Sequence, residues 1–167
     1  ALDMVNLSDQ VKVPVGQFSG GMMRRIGLAQ ILVRPPKVLI VDEPTVGLDP
    51  LERVRFRNML VRLSQDRVVI LSTHIVEDVA HSCRTMALMD EGRILFTGRP
   101  EELVQSVRGK VWEFDLAGDS AWRELRRRYK VASQSYTANG IRMRVIADSP
   151  PCPEAETVEP SLEDAYQ

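Results

Sequence analysis

The sequence predicts an α/β fold followed by a smaller α+β domain, and three observations support this. Two short, continuously apolar runs, Val38–Val41 and Val68–Leu71, are typical of buried parallel strands. Each run is followed by a segment with helical periodicity. In the last third of the chain the pattern changes to alternating strands with a hairpin signal. We therefore predict domains at 1–108 and 109–167.

The composition of the chain argues against some classes of function. The chain has 167 residues, enough to bury a core, and its net charge is −1. A nucleic-acid-binding protein normally has a basic excess, so we expect no nucleic-acid partner. No stretch approaches the roughly 18 consecutive apolar residues of a membrane span, so none is predicted.

The first elements are the end of one helix and the whole of another. Residues 1–7 have the spacing of a helix end, and the chain starts with alanine, so we expect a fragment whose upstream part is absent. Ser19 can cap a helix from about Gly21 to Val33, and Pro35-Pro36 ends it. The residues expected on its buried stripe are Ile26, Ala29 and Val33.

The helix after the first strand has the clearest pattern. It begins at Pro50, a residue tolerated in the first helical turn. Its apolar residues follow the i, i+3, i+4, i+7 spacing of one stripe, namely Phe56, Met59, Leu60 and Leu63. Its arginines are expected on other faces, namely Arg53, Arg57 and Arg62. The second strand follows, and then a helix over 75–82.

A hairpin and a short helix complete the first domain. Thr85–Met89 and Arg93–Phe96 flank Asp90-Glu91-Gly92, a turn in which glycine can adopt a positive φ. Pro100 then begins a short helix that continues through Val104.

The second domain is predicted to have a βαββα order. Asn139-Gly140 is the strongest short hairpin signal, and Pro160–Tyr166 forms the last segment. The predicted elements before that segment are a strand at Val111–Leu116, a helix at Ser120–Tyr129, and strands at Val131–Thr137 and Ile141–Ala147.

Candidate site residues follow both predicted parallel strands. Asp42 and Glu43 come directly after the first strand, at the edge where α/β proteins place ligands. One carboxylate suits Mg²⁺, and the next can act as general base on an attacking water. His74 follows the second strand and could contact a γ-phosphate oxygen or that water. The alternatives are two solvated acids and a structural histidine.

A second set of candidate residues opens the first complete helix. Ser19, Gly20 and Gly21 place a hydroxyl and unobstructed backbone N–H groups at the helix N-terminus, an arrangement that binds phosphate. Together with the carboxylates of Asp42 and Glu43, they predict nucleotide hydrolysis across an interface.

These motifs resemble the second half of the ATP-binding subunit of ABC transporters. Phe18–Met22 resembles the signature loop, Val38–Glu43 the Walker B strand, Val46–Asp49 the D-loop, and His74 the switch histidine. The resemblance extends from residue 1 to about residue 106. It implies a P-loop NTPase-type, three-layer fold that lacks its N-terminal part.

The resemblance implies a role for each matching residue. Glu43 would be the general base, Asp42 the carboxylate on the Mg²⁺ side, and His74 the sensor of the γ-phosphate. Ser19–Gly21 would bind the γ-phosphate of ATP held by an opposite subunit, and Asp49 would link the two nucleotide sites of a dimer.

The sequence also departs from the family pattern. Phe18 and Met22 replace the usual Leu and Gln at the edges of the signature. No Gly-x-x-x-x-Gly-Lys-Ser/Thr motif occurs, and there is no adenine-stacking loop or Q-loop glutamine. We therefore expect that the chain alone does not turn over ATP.

The segment ending in Pro160–Tyr166 resembles the C-terminal extension of exporters of the daunorubicin-resistance kind. This implies export of a drug-like, lipid or antibiotic solute with ATP and Mg²⁺ as cofactors. The implied partners are a second ATP-binding subunit and transmembrane permease subunits. The implied location is cytoplasmic, peripheral on the inner face of the cell membrane.

Two other interpretations remain open. One is an ABC-type ATPase of DNA repair or translation, although such proteins usually carry coiled-coil insertions or tandem cassettes, which this sequence lacks. In the other, residues 110–167 are an interaction or regulatory module that contacts a dimer partner or restrains the ATPase core. The first sheet would also have an exposed edge, which predicts self-association.

Overall fold

The computed structural model describes residues 1–34, 36–116, 125–138 and 140–167. The chain divides into two compact units, Ala1–Cys83 and Arg84–Gln167. The domain boundary that the sequence indicates after residue 108 stays a prediction. Among the described residues, no helix is both long and apolar enough to cross a bilayer.

The first unit combines α-helices with a pair of parallel strands. Its elements are α1 (Gly20–Val33), β1 (Val38–Asp42), α2 (Pro50–Leu63), β2 (Val68–Ser72) and α3 (Val76–Ser82). Val38 lies opposite Val68 and Asp42 lies opposite Ser72, so the predicted parallel pairing is confirmed. The mixed α/β character predicted for this part of the chain is also present.

Residues 1–7 form turns closed by the hydrogen bonds of a helix C-terminus. Leu7 N donates to Leu2 O at 3.0 Å, and Asn6 N donates to Asp3 O at 3.1 Å. Asn6 has φ +54°, as expected for the left-handed residue that follows a helix end. The predicted helix end is therefore present as a closing turn rather than as an α-helix.

The helix α1 begins where the sequence predicts, but its buried stripe is different. Ser19 is the N-cap, and its Oγ accepts a hydrogen bond from Met22 N at 3.2 Å. Leu28, Ala29 and Leu32 are buried, whereas Val33 is 71% exposed. The predicted stripe was therefore wrong at Val33, because the core contacts the helix face one position earlier in the chain.

The helix α2 supplies much of the core of the first unit. All four residues of its predicted stripe are buried, namely Phe56, Met59, Leu60 and Leu63. Arg57, which was predicted to lie off this stripe, is itself buried and is paired with acidic residues of α3. A buried guanidinium requires such partners.

The sheet of the first unit is covered on one face. Leu39 is buried in the core, and Val41, Val69 and Leu71 pack against that core. The opposite face, here called the open sheet face, consists of Val38, Ile40, Val68 and Ile70, which are 50–70% exposed. The burial predicted from continuously apolar strands is thus found on one face of the described sheet.

The second unit starts with the predicted hairpin. Strands β3 (Met86–Asp90) and β4 (Arg93–Gly98) pair in antiparallel fashion. Glu91 and Gly92 between them have φ of +46° and +75°, the combination that a two-residue type I′ turn requires. The helix α4 (Pro100–Ser106) follows and is two residues longer than predicted.

A four-stranded antiparallel sheet forms the rest of the second unit. Its strands are β5 (Val111–Leu116), β6 (Lys130–Thr137), β7 (Gly140–Ile146) and β8 (Glu156–Thr157), in the order β6-β7-β5-β8. The helix α5 (Leu162–Tyr166) is the last element. The strand β8 was not predicted.

The predicted helix at Ser120–Tyr129 is described in part. Residues 125–128 are helical, whereas residues 120–124 lie outside the described part of the chain. The hairpin between β6 and β7 is confirmed by its register, although Asn139 is also outside the described residues. Phe114, Met143 and Val145 form the core beneath this sheet.

Candidate functional site

The parallel strands bring the polar residues that follow them to one edge of the sheet. Ser72 Oγ donates a hydrogen bond to an Asp42 carboxylate oxygen. Glu43 N donates to Ser72 O at 2.9 Å and so continues the ladder one residue past β1. The register therefore places Glu43 beside the segment that carries His74.

Glu43 and His74 are in direct contact. Glu43 Oε1 lies 3.1 Å from His74 N and 2.8 Å from His74 Nδ1. An ionised carboxylate only accepts hydrogen bonds, so Nδ1 of the ring is the donor. A neutral His74 then presents Nε2 as an acceptor, and a contact from Nε2 to a phosphate oxygen requires the imidazolium form.

The backbone of Glu43 is strained. Its φ is +44°, a left-handed conformation that costs a non-glycine residue about 1–3 kcal/mol and is concentrated at functional sites. The second carboxylate oxygen, Oε2, is buried and makes no hydrogen bond within the described part of the chain. One oxygen of Glu43 is thus held by His74, and the other is left for a further donor.

Asp42 and Ser72 offer an oxygen-only environment at the same edge. A carboxylate and a hydroxyl suit Mg²⁺, which keeps waters and takes few protein ligands besides phosphate oxygens. Within the described residues, no three His, Cys, Asp or Glu side chains are grouped as a complete metal cage. The donor set at Asp42 fits a magnesium ion shared with a phosphate.

The predicted phosphate-binding residues lie at the exposed N-terminus of α1. A Cβ built on Gly21 would lie 3.2 Å from Leu48 Cδ2, so the loop of residues 46–49 leaves little room there. A Cβ on Gly20 would meet no atom within 4 Å. Packing therefore explains a glycine at position 21 but not at position 20.

Asp49 is the N-cap of α2. Its Oδ1 accepts a hydrogen bond from Glu52 N at 2.8 Å, and the residue is exposed. Gly47, two residues earlier, has φ +75° and allows the turn into this cap. Leu48 Cδ2 occupies the space beside the Cα of Gly21, so the start of α1 lies next to this turn.

The structure thus forms two groups from the predicted residues. Asp42, Glu43 and His74 lie together at the sheet edge. Ser19, Gly20 and Gly21 open α1, and Leu48, the residue before Asp49, lies beside Gly21. Between the groups, Arg24 Nη1 on α1 lies 3.4 Å from Pro44 O, directly after Glu43.

Sequence reasoning missed other residues of this region. Ser72 contacts Asp42, and its position two residues before His74 could have indicated that it lies at the site. Thr45, Arg57 and Asp78 form a buried cluster behind the site, and no local pattern indicated them.

Comparison with known proteins identifies related sequences. Residues 1–46 match the family described as ABC transporter. This stretch contains Ser19, Gly20 and Gly21 as well as Asp42 and Glu43. Asp49 and His74 lie beyond it.

Curated relatives extend the similarity. The chain is 39% identical over 112 residues to the Nod factor export ATP-binding protein I of Burkholderia thailandensis. This alignment covers 65% of this chain and 36% of that protein. The chain is 37% identical over 115 residues to the uncharacterized ABC transporter ATP-binding protein YxlF of Bacillus subtilis, and this alignment covers 69% of this chain and 39% of that protein. The Nod factor export ATP-binding protein I of Sinorhizobium fredii is 38% identical over 109 residues, covering 65% and 32%.

The chain spans about a third of the length of these relatives. The matches confirm the resemblance to ATP-binding proteins of ABC transporters.

Proposed function

We propose that the protein is the ATP-hydrolysing subunit of an ABC exporter. The observation that carries the proposal is the Glu43–His74 pair at the end of β1, with a buried Glu43 oxygen that has no hydrogen-bond partner in the described chain. Such a carboxylate is suited to accept the proton of a water that attacks a γ-phosphate.

In the proposed mechanism, each residue has a defined task. Glu43 Oε2 accepts a hydrogen bond from the attacking water and takes its proton as the bond from the water oxygen to the γ-phosphorus forms. The bond from that phosphorus to the bridging oxygen breaks in the same step, and ADP leaves. His74 fixes Glu43 through Oε1, so that Oε2 keeps its position. The imidazolium form of His74 donates from Nε2 to a γ-phosphate oxygen. These tasks use the contacts of 2.8 Å and 3.1 Å between the two residues.

Asp42 is the residue that we assign to Mg²⁺. When bound, the ion would neutralise phosphate charge and orient the phosphate chain. Ser72, which donates to the Asp42 carboxylate, keeps that carboxylate oriented at the sheet edge.

The start of α1 is proposed to act on ATP held by a second subunit. Ser19–Gly21 offers backbone N–H groups at a helix N-terminus, where partial positive charge favours phosphate. Asp49 follows Leu48, whose side chain lies beside Gly21, and we assign it to the same interface. The proposed active unit is therefore a dimer of ATP-binding subunits.

The finer fold that we propose is the three-layer P-loop NTPase architecture. Parallel sheets are normally covered on both faces. The open sheet face carries four β-branched residues at 50–70% exposure, which suits a further layer of the same protein. The small α+β extension over residues 109–167 is proposed as a regulatory or dimerisation domain.

Export is proposed from two supporting features. Relatives of this chain are named for Nod factor export, and the Pro160–Tyr166 segment resembles the extension of drug exporters. The exported solute is proposed to be drug-like, lipid or antibiotic. The proposed partners are transmembrane permease subunits, which would hold the protein on the cytoplasmic face of the membrane.

The change Glu43→Gln tests the proposal in the protein expressed from its complete gene. It removes the base and keeps the size of the side chain, so we expect turnover to fall about a hundredfold or more. Binding of ATP should stay within about threefold, because the lost group acts on water rather than on the nucleotide. Phosphate release and equilibrium binding of a fluorescent ATP analogue measure the two quantities.

Glu101→Gln is the matched control, since Glu101 is exposed on α4 in the other unit. Its turnover should equal that of the unmodified protein. Full turnover by the Glu43→Gln protein would overturn the assignment of the base.

A further inference from the structure

The loops that follow β1 and β2 are joined a second time, away from the sheet. Thr45 is 1% exposed and Asp78 is fully buried. The Thr45 hydroxyl donates a hydrogen bond to Asp78 Oδ2. Asp78 lies in the first turn of α3, so this bond joins the loop after Glu43 to the helix after His74.

Arg57 is the charge partner of this buried carboxylate, without a hydrogen bond between the two side chains. Its side chain is 9% exposed, and Nη1 lies 3.5 Å from Asp78 Oδ1. The same nitrogen lies 3.0 Å from Glu77 Oε1, on the outer side of the cluster. Burying an unpaired carboxylate has a large free-energy cost. The hydrogen bond from Thr45 and the positive charge of Arg57 offset that cost for Asp78.

The position of this cluster relative to Glu43 and His74 is informative. The bond from Glu43 N to Ser72 O joins the two segments on the sheet side. The bond from Thr45 to Asp78 joins them on the helix side. In the second segment, His74 lies between Ser72 and Asp78. In the first segment, Glu43 makes the sheet-side connection itself, two residues before Thr45. His74 is 70% exposed, so its own packing does little to hold it against Glu43.

We propose that Thr45 and Asp78, supported by Arg57, are positioning residues that hold the His74 segment against Glu43. The inference rests on the proposed function, because it assigns these residues to the geometry of the same hydrolytic pair. Since Arg57 belongs to α2, the cluster also joins that pair to the helix capped by Asp49.

A purely stabilising role for the cluster makes a different prediction. Loss of a structural hydrogen bond lowers the free energy of unfolding and the amount of folded enzyme, but leaves kcat per folded molecule unchanged. A positioning role lowers kcat itself, because a displacement of about 1 Å at a catalytic group can cost up to about a hundredfold.

The test uses Thr45→Val and Thr45→Ser in the protein expressed from its complete gene. Valine keeps the shape and removes the hydroxyl, whereas serine keeps the hydroxyl and removes the methyl. We expect Thr45→Val to lower kcat about tenfold or more with KM for ATP within about twofold, and Thr45→Ser to restore kcat to within about threefold. Each kcat is measured below the unfolding midpoint of its own variant and per folded active molecule.

Thr97→Val is the control for the chemical change, because Thr97 is exposed on β4. Its kcat should not change. Thr45→Ala provides a second variant if valine prevents folding, because the smaller side chain admits water to the Asp78 carboxylate. The same fall in kcat is expected for it.

The proposal is overturned if Thr45→Val keeps kcat within about twofold, or if Thr45→Ser loses as much as Thr45→Val. These outcomes are distinct from a failure of the proposed function. If Glu43→Gln abolishes turnover while Thr45→Val does not reduce it, the positioning role alone is wrong. If Glu43→Gln turns over ATP normally, the hydrolytic assignment is itself wrong.

Discussion

At the scale of single residues, Gly20 is the most informative glycine of the site. A Cβ there would meet no atom within 4 Å, and the residue is exposed at the start of α1. Neither packing nor a positive φ therefore requires glycine. The proposed phosphate site supplies a reason for it, because a Cβ at the first helical position would stand near the N–H groups that are proposed to bind phosphate.

Replacing Gly20 by alanine tests whether glycine is needed for phosphate binding or for the structure of the helix. In the protein expressed from its complete gene, we expect Gly20→Ala to lower turnover about tenfold while the unfolding midpoint stays the same or rises, because alanine is favoured over glycine in helices by about 1 kcal/mol. Steady-state phosphate release and thermal unfolding measure the two effects.

Gly27→Ala is the matched control in the same helix. A Cβ at position 27 also has open space within 4 Å, and Gly27 lies two turns away from the helix start. It should stabilise the helix without changing turnover. Equal losses of turnover in both variants would point to the helix as a whole and would count against phosphate binding at Gly20.

At the scale of elements, a buried ion pair joins α5 to its sheet. Arg144 on β7 donates from Nε and Nη2 to both oxygens of Asp164, each at 2.7 Å. Asp164 also accepts from Ser161 N and Oγ at the helix N-cap. Burial raises the pKa of the Asp164 carboxyl, but hydrogen bonds from Arg144 and Ser161 lower it by more, so the pKa lies below its ordinary value.

This pKa shift predicts how the stability of the second unit depends on pH. Because the pKa of Asp164 is lower in the folded state, the stabilisation is complete above the unfolded-state pKa of about 3.9 and is lost as pH falls through the folded-state pKa. Asp164→Asn should therefore lower the free energy of unfolding at pH 7 by about 3 kcal/mol and flatten its decline in acid. Urea unfolding between neutral and acidic pH measures both.

Asp115→Asn is the control for that experiment. Asp115 pairs with Arg142, another arginine of β7, at 2.8 Å, but both side chains are substantially exposed. An exposed pair contributes about 0–1 kcal/mol, so its loss should change stability little. A loss at Asp115 equal to that at Asp164 would contradict the role given to burial.

These contacts explain which elements could be predicted. The stripe of α2 and the turn at Gly92 follow from spacing and local chemistry, and both were predicted. The bond between Thr45 and Asp78 joins residues 33 positions apart, and no local pattern specifies it. The burial of Arg57 could not be predicted for the same reason, since its buried partner belongs to another helix.

In the candidate site, too, some features could be predicted from the sequence and others could not. Asp42 and Glu43 could be predicted because they follow an apolar strand, and parallel pairing then brings the His74 segment alongside. The positive φ of Glu43 could not, because it depends on the bond to Ser72 O and on the turn that follows. The strand β8 was also missed, since a two-residue strand among prolines carries no periodic signal.

At the scale of the whole molecule, the open sheet face is the feature with the largest physical consequence. Val38 lies opposite Val68 and Ile40 opposite Ile70, so these side chains form one continuous apolar surface. The sheet has two strands among the described residues, and its outer edges offer unpaired backbone groups. Exposed apolar strands with open edges pair readily with other chains.

We therefore expect the 167-residue chain to self-associate at micromolar concentration, and Ile40→Lys with Ile70→Lys to suppress this association. Each lysine places a charge on the open sheet face, and burying it in a contact between copies is costly. Ile94→Lys is the control, because Ile94 is 62% exposed on β4 and undergoes the same chemical change in the other unit. Light scattering over a concentration series should show larger species for the unmodified chain and for Ile94→Lys, and monomers for the double variant. A monomeric unmodified chain, or undiminished association of the double variant, would exclude the open sheet face as the contact surface.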